Sequence, residues 1–101
     1  MNRFHAAISQ ARNAAVAEGT VTAKDVRGLD AIIRSPMMRD PKTGKRIPAM
    51  ARLERKVARL YRQDTGIPMA SINWSDVLQW LKDHIVQILT LVAAIIPLMA
   101  N

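Results

Sequence analysis

The sequence predicts an all-α fold: short, basic amphipathic helices followed by a long C-terminal hydrophobic helix of transmembrane character. Three observations predict it. The apolar half of the chain is mostly Ala, Ile, Leu, Val and Met, with only four aromatic residues, a composition that favours helix over sandwich or barrel. Apolar residues recur three and four apart through three upstream stretches. Between Ile85 and Ala100, 13 of 16 residues are Ile, Val, Leu, Met or Ala, and none is charged. A chain of 101 residues has material for one small domain with attachments, here expected as a basic helical region over 1–70 and a membrane-anchoring helix over 71–101.

The first helix is expected over about 2–18, with Phe4, Ala7, Ile8, Ala11, Ala15 and Val16 on one face and Gly19 as its stop. That face is mostly Ala, so it packs closely and contributes little burial. Thr22 and Asp25 have the spacing of a helix N-cap and its reciprocal partner, and Val21 with Val26 occupy the staple positions. A second helix is therefore expected over about 23–34, burying Val26, Leu29 and Ile32 or Ile33. Ser35-Pro36 ends it, because proline disfavours helical geometry in the residue before it.

Residues 35–47 hold Pro36, Pro41 and Gly44 among Arg39, Lys42, Lys45 and Arg46, and read as an exposed linker with a turn at Asp40-Pro41-Lys42-Thr43-Gly44. The run Pro41-Lys42-Thr43-Gly44-Lys45 echoes a phosphate loop, but the full spacing and a preceding apolar strand are missing. Pro48 opens a third helix over about 48–63, with Gly66 beyond its end. Met50, Leu53, Val57 and Leu60 line one side of it. Arg52, Arg55, Lys56, Arg59 and Arg62 cover the others and are the candidate contacts to phosphate or lipid headgroups; a solvated amphipathic face is the alternative. Tyr61 alone is too little for a base-stacking platform.

Asn73 and Asp76 repeat the cap spacing, and Ile72 with Val77 the staple, so the last helix starts at Trp74. Sixteen residues at about 1.5 Å each span roughly 24 Å, against a hydrocarbon core of roughly 30 Å. Trp80 at headgroup level and Lys82 snorkelling outward would complete the span. The expected anchor is Trp80, Ile85, Ile88, Leu89, Val92, Ile95 and Ile96. Gln79, Asp83, Gln87, Thr90 and Ala94 follow one another by three or four residues, a polar and small-residue stripe expected to face a second helix in a homo- or hetero-oligomer. The alternative is that this helix is the buried centre of a soluble bundle, although the upstream faces are narrow and Ala-rich.

Charge divides the chain. Residues 1–70 carry 14 Lys and Arg against 6 Asp and Glu, while the remainder has Lys82 against Asp76 and Asp83. Such a body is drawn to nucleic acid, anionic lipid or an acidic partner. If the last helix inserts, the basic region stays on the cytoplasmic or topologically equivalent face of a host inner membrane or a virion's internal membrane.

The chain has no cysteine, so it offers neither a disulfide nor a thiolate metal site. His5 and His84 are far apart in sequence, and Ser9, Ser35, Ser71 and Ser75 lack a Gly-flanked nucleophile setting, so no metal, cofactor or catalysis is expected. The opening Met1-Asn2-Arg3-Phe4-His5 and the Ala-rich stretch broken by Gln10, Arg12 and Asn13 give no cleaved-leader pattern.

In plan, a basic body from Met1 to Arg62 and a segment of bare spanning length, Asn73-Trp74-Ser75-Asp76 through Ile95-Ile96-Pro97, resemble the small virion membrane proteins of icosahedral, membrane-containing bacteriophages of the corticovirus-like group. The resemblance is architectural and matches no motif residue by residue. It implies a structural protein that tethers a capsid to a lipid bilayer. Two other functions fit the residues: a soluble or peripheral nucleic-acid-binding module acting through Arg52, Arg55, Lys56, Arg59 and Arg62, and a holin-like or toxin-like protein in which the polar stripe lines a pore.

Overall fold

Apolar side chains from Phe4 to Ile95 form one continuous cluster in the computed structural model, which describes residues 3–34, 36–69 and 73–99. The elements that supply it are, in order, α1 (Arg3–Ala17), α2 (Arg27–Ile33), β1 (Met37–Arg39), β2 (Arg46–Pro48), α3 (Ala49–Thr65), α4 (Trp74–Asp83) and α5 (Ile85–Met99). The protein is thus mostly helical, with one two-stranded antiparallel ribbon. α4 packs chiefly along α1, while α5 packs against α3, α2 and β1.

The face of α1 is the expected one: Phe4, Ala7, Ile8, Ala11 and Ala15 are buried. Its end is closed by two bonds, Gly19 N–H to Val16 O at 3.1 Å and Thr20 N–H to Ala15 O at 2.9 Å, which satisfy carbonyls the last turn leaves open. The reciprocal cap forms as well. Thr22 N–H donates to Asp25 Oδ2 at 2.9 Å and Asp25 N–H to Thr22 Oγ1 at 3.2 Å. It caps tight turns over 23–26 rather than α2 itself, which starts only at Arg27 and is shorter than expected. Val21 and Val26 are both buried at the staple positions. Arg12 clamps α1 to α2 by a two-pronged pair with Asp30, Nε to Oδ1 at 2.8 Å and Nη2 to Oδ2 at 2.9 Å.

Two expectations are corrected. Residues 37–39 and 46–48 are not linker but β1 and β2, paired Met37 to Pro48, Met38 to Ile47 and Arg39 to Arg46. Each strand turns one residue inward, Met38 fully and Ile47 partly. The expected turn at Asp40-Gly44 closes this ribbon.

The C-terminal segment is not one long helix. α4 and α5 meet at His84 with an 81° bend. No single described helix is long and apolar enough to cross a membrane; the bent pair is so by length and composition only. The cause is local. His84 leaves helical geometry at φ −115 and ψ 21, and its Nδ1 donates to Trp80 O at 2.8 Å, a carbonyl that also keeps the His84 N–H at 3.0 Å. Trp80 then ties the corner to α3, its indole N–H donating to Asp64 Oδ2 at 2.8 Å, and His84 Nε2 lies 3.5 Å from the same oxygen.

The bend also turns the expected anchor inward. Trp80, Ile85, Ile88, Val92 and Ile95 are buried in the protein's own core, with Leu89 and Ile96 packed against it. Folding the segment back lets narrow faces cover it: the Ala stripe of α1 takes α4, and α2, α3 and Met38 share α5. Gly28 permits a close approach of α2 to α5, since a Cβ there would lie 3.1 Å from Val92 Cγ1. Lys82 does not snorkel outward but faces Glu18 at 3.8 Å. What remains outside on α5 includes Val86, which is 61 % exposed.

Candidate functional site

α3 carries the densest positive charge of the protein. Its start follows Pro48, whose extended backbone hands over to the helix, and its end is closed by Gly66 N–H donating to Arg62 O at 2.8 Å. Ala49, Met50, Leu53, Val57 and Tyr61 face the core at helical spacing. Their periodicity leaves Arg52, Arg55, Lys56 and Arg59 on a common outer face, where residues three and four apart are neighbours. Arg52 and Arg59 stand about 10 Å apart along the axis.

The β1–β2 ribbon folds back to meet this face. Asp40 N–H donates to Lys45 O and Gly44 N–H to Asp40 O, both at 2.8 Å, closing the loop, while the Asp40 carboxylate accepts the Lys42 N–H at 2.9 Å. Gly44 sits at φ 72, a left-handed conformation that a residue with a Cβ rarely adopts, and this lets the loop close. Lys42 is thereby brought to α3. Together Lys42, Arg52, Arg55, Lys56 and Arg59 line a recess of about 140 Å³.

Every lining residue is a cation. The pairs Arg12–Asp30, Lys82–Glu18 and His84–Asp64 lie elsewhere in the protein. Asp40 stands nearby, its carboxyl held below the usual range chiefly by the Lys42 N–H, with the positive charge of Arg52 adding to the effect. Arg52 Nε is buried and has no hydrogen-bond partner among the described residues. A buried N–H left without an acceptor costs about 1–3 kcal/mol, more when the group is charged. The recess thus gathers five cations, with an unpaired buried donor beside it.

Four of the five expected polyanion contacts, Arg52, Arg55, Lys56 and Arg59, come together here. Arg62 does not; it lines a neighbouring apolar depression with Glu54, Ala58, Arg59, Pro68 and Met69. Lys42 was hidden from sequence reasoning because its place depends on the ribbon. The one available signal was its Asp-Pro-Lys-Thr-Gly turn, which here acts as a hairpin loop and not as a phosphate loop.

The expected helix-association stripe is divided by the corner at His84. Gln79 and Asp83 lie on α4, joined by a 3.0 Å hydrogen bond, and Gln87, Thr90 and Ala94 lie on α5; all five are exposed, but they no longer form one straight line. The staple contact expected of Ile72 falls outside the described residues. No group of three or more His, Cys, Asp or Glu residues able to hold a metal occurs among the described residues. The Trp80–His84–Asp64 cluster instead serves as a latch at the corner, with Tyr61 packed edge-on to Trp80 at 5.1 Å.

Compared with protein families, with curated proteins and with solved structures, the chain matches none.

Proposed function

We propose that this chain is a non-enzymatic binding protein that holds a phosphate-bearing polyanion, nucleic acid in the first place, against α3 and the β1–β2 loop. The observation that carries this reading is the convergence of Lys42, Arg52, Arg55, Lys56 and Arg59 on one recess with no carboxylate among its lining residues. Like charges held together repel, and a partner that brings phosphates relieves that repulsion and releases its own counterions. Ten of the fifteen Lys and Arg residues lie between Arg34 and Arg62, against Asp40 and Glu54, so the surrounding surface reinforces the attraction.

Fluorescence anisotropy with a labelled duplex tests this. Four or five phosphate contacts give a slope of log K against log salt of about −4. Replacing Arg55 and Arg59 by Gln is expected to flatten that slope by about 2. Absence of measurable binding at 50 mM salt would remove the proposal.

A second reading keeps a bilayer as the partner. Its support is the outer side of α5, where Val86 is 61 % exposed, together with the combined length and apolarity of α4 and α5. In this reading the cations meet lipid headgroups, and the protein tethers a shell or other assembly to the membrane, as the virion proteins it resembles in plan would. Spanning requires α4 and α5 to straighten and α5 to leave its core. Flotation with anionic vesicles, followed by alkaline carbonate, separates the possibilities: a spanning protein stays with lipid, whereas a surface-bound one is released.

A further inference from the structure

We propose that the recess between the β1–β2 loop and α3 is a seat for one phosphomonoester group, entering end-on. The inference rests on the polyanion reading above and narrows it to a chemical class. A phosphomonoester carries a charge of about −1.5 to −2 at neutral pH and three acceptor oxygens, whereas a chain phosphodiester carries a single charge. Five cations around one volume of about 140 Å³ match the denser charge. That volume admits a tetrahedral phosphate group.

The donor set fits as well. Arg52, Arg55 and Arg59 offer planar forks suited to paired oxygens, and Lys42 and Lys56 supply point charges from the two walls. The Arg52 Nε–H is buried and unmet by any described residue, an unpaired donor beside the cluster of cations. The loop stands on one side and the helix on the other, so a group that enters meets cations from both walls. Both the 5′ end of a nucleic acid and a phosphatidate headgroup present this chemistry.

The test uses the full chain. In a ¹H–¹⁵N spectrum of the arginine side chains, inorganic phosphate is expected to shift the signals of Arg52, Arg55 and Arg59 together; no shift of any of them at saturating phosphate overturns the proposal. A 5′-phosphorylated oligonucleotide, or vesicles containing phosphatidate, should bind about tenfold more tightly than the 5′-hydroxyl oligonucleotide or phosphatidylglycerol vesicles. Preference in the first pair assigns a nucleic-acid end, and in the second a lipid headgroup. Preference in neither overturns the seat. Loss of all oligonucleotide binding would instead sink the nucleic-acid reading, while the phosphate titration still judges the recess. Arg52→Lys, which keeps the charge and removes the planar fork, should abolish the preference for the phosphorylated probe. Arg62→Gln, outside the recess, should weaken both probes equally. Equal losses in Arg52→Lys would make it a general charge contact and refute the seat.

Discussion

The indole of Trp80 and the imidazole of His84 lie face to face at the corner between α4 and α5, their centroids 4.1 Å apart and their planes 16° from parallel. Both rings point to one carboxylate, Asp64 on α3, so a single side chain holds the two arms of the bend. Trp80→Phe keeps an aromatic ring but removes the N–H that Asp64 accepts. A hydrogen bond to a charged group contributes about 1.5–3 kcal/mol, discounted here because Asp64 is half exposed, and a loss of about 1–2 kcal/mol is expected. Urea denaturation followed by far-ultraviolet circular dichroism reads it; unchanged stability would show that the latch does not hold the corner.

Gly28 faces Val92 and Ile96 on α5, where an added Cβ would come within 3.1 and 3.4 Å of their Cγ1 atoms. Gly28→Ala is expected to be near neutral, because a helix-propensity gain of about 1 kcal/mol offsets the crowding. Gly28→Val adds more volume to the same contact and is expected to cost about 1–3 kcal/mol. Thermal melts of the two variants separate crowding from propensity; equal effects would contradict the close approach.

The exposed and buried sides of α5 give a second contrast. Val86→Glu, at a position 61 % exposed, should leave stability within about 0.5 kcal/mol, whereas Ile88→Glu buries an unpaired charge and should cost more than about 4 kcal/mol. The same pair tests lipid attachment. If Val86→Glu still floats with vesicles, the outer side of α5 is not what meets the bilayer.

The Thr22–Asp25 cap makes stability depend on acid pH. The Asp25 carboxyl is held below its usual range, first by the Thr22 N–H, then by the Thr22 side chain, with Lys24 adding its charge. Its contribution is complete above the ordinary aspartate value of about 3.9 and is lost as pH falls through the lower folded value. Melting temperatures measured from pH 6 to pH 2 should therefore fall less steeply in Asp25→Asn than in the unmodified chain. Parallel curves would rule out the cap as a source of the acid sensitivity.

Asp40→Asn offers a gain of function. The amide oxygen still accepts the Lys42 N–H, so the loop is kept, while the negative charge beside Arg52 disappears. Binding of inorganic phosphate should tighten about threefold, since one nearby like charge is removed at high effective dielectric. Isothermal titration measures it, and unchanged or weaker binding would place Asp40 outside the field of the recess.

Helices α1, α3 and the start of α4 were legible because their signals are local: apolar spacing in the first two, and Asn73 for the third, whose side chain accepts the Ser75 N–H at 2.8 Å. The ribbon was not, because three-residue strands with one inward residue each leave no period to detect. The corner at His84 was missed for a different reason. No Gly or Pro marks it, and Trp80, His84 and Asp64 become one cluster only when α3 and α4 are brought together. The candidate site divides along the same line. Four of its cations share a helical face and could be grouped from spacing, while Lys42 and the buried Arg52 Nε depend on tertiary folding.

The loop closed by Asp40 and Lys45 hangs beyond the hydrophobic cluster, and Met38 is the only fully buried side chain that its two strands supply. One wall of the recess can therefore be rebuilt by inserting or deleting loop residues while the helical core is left undisturbed. The width available to an anion is thus adjustable independently of what keeps the chain folded.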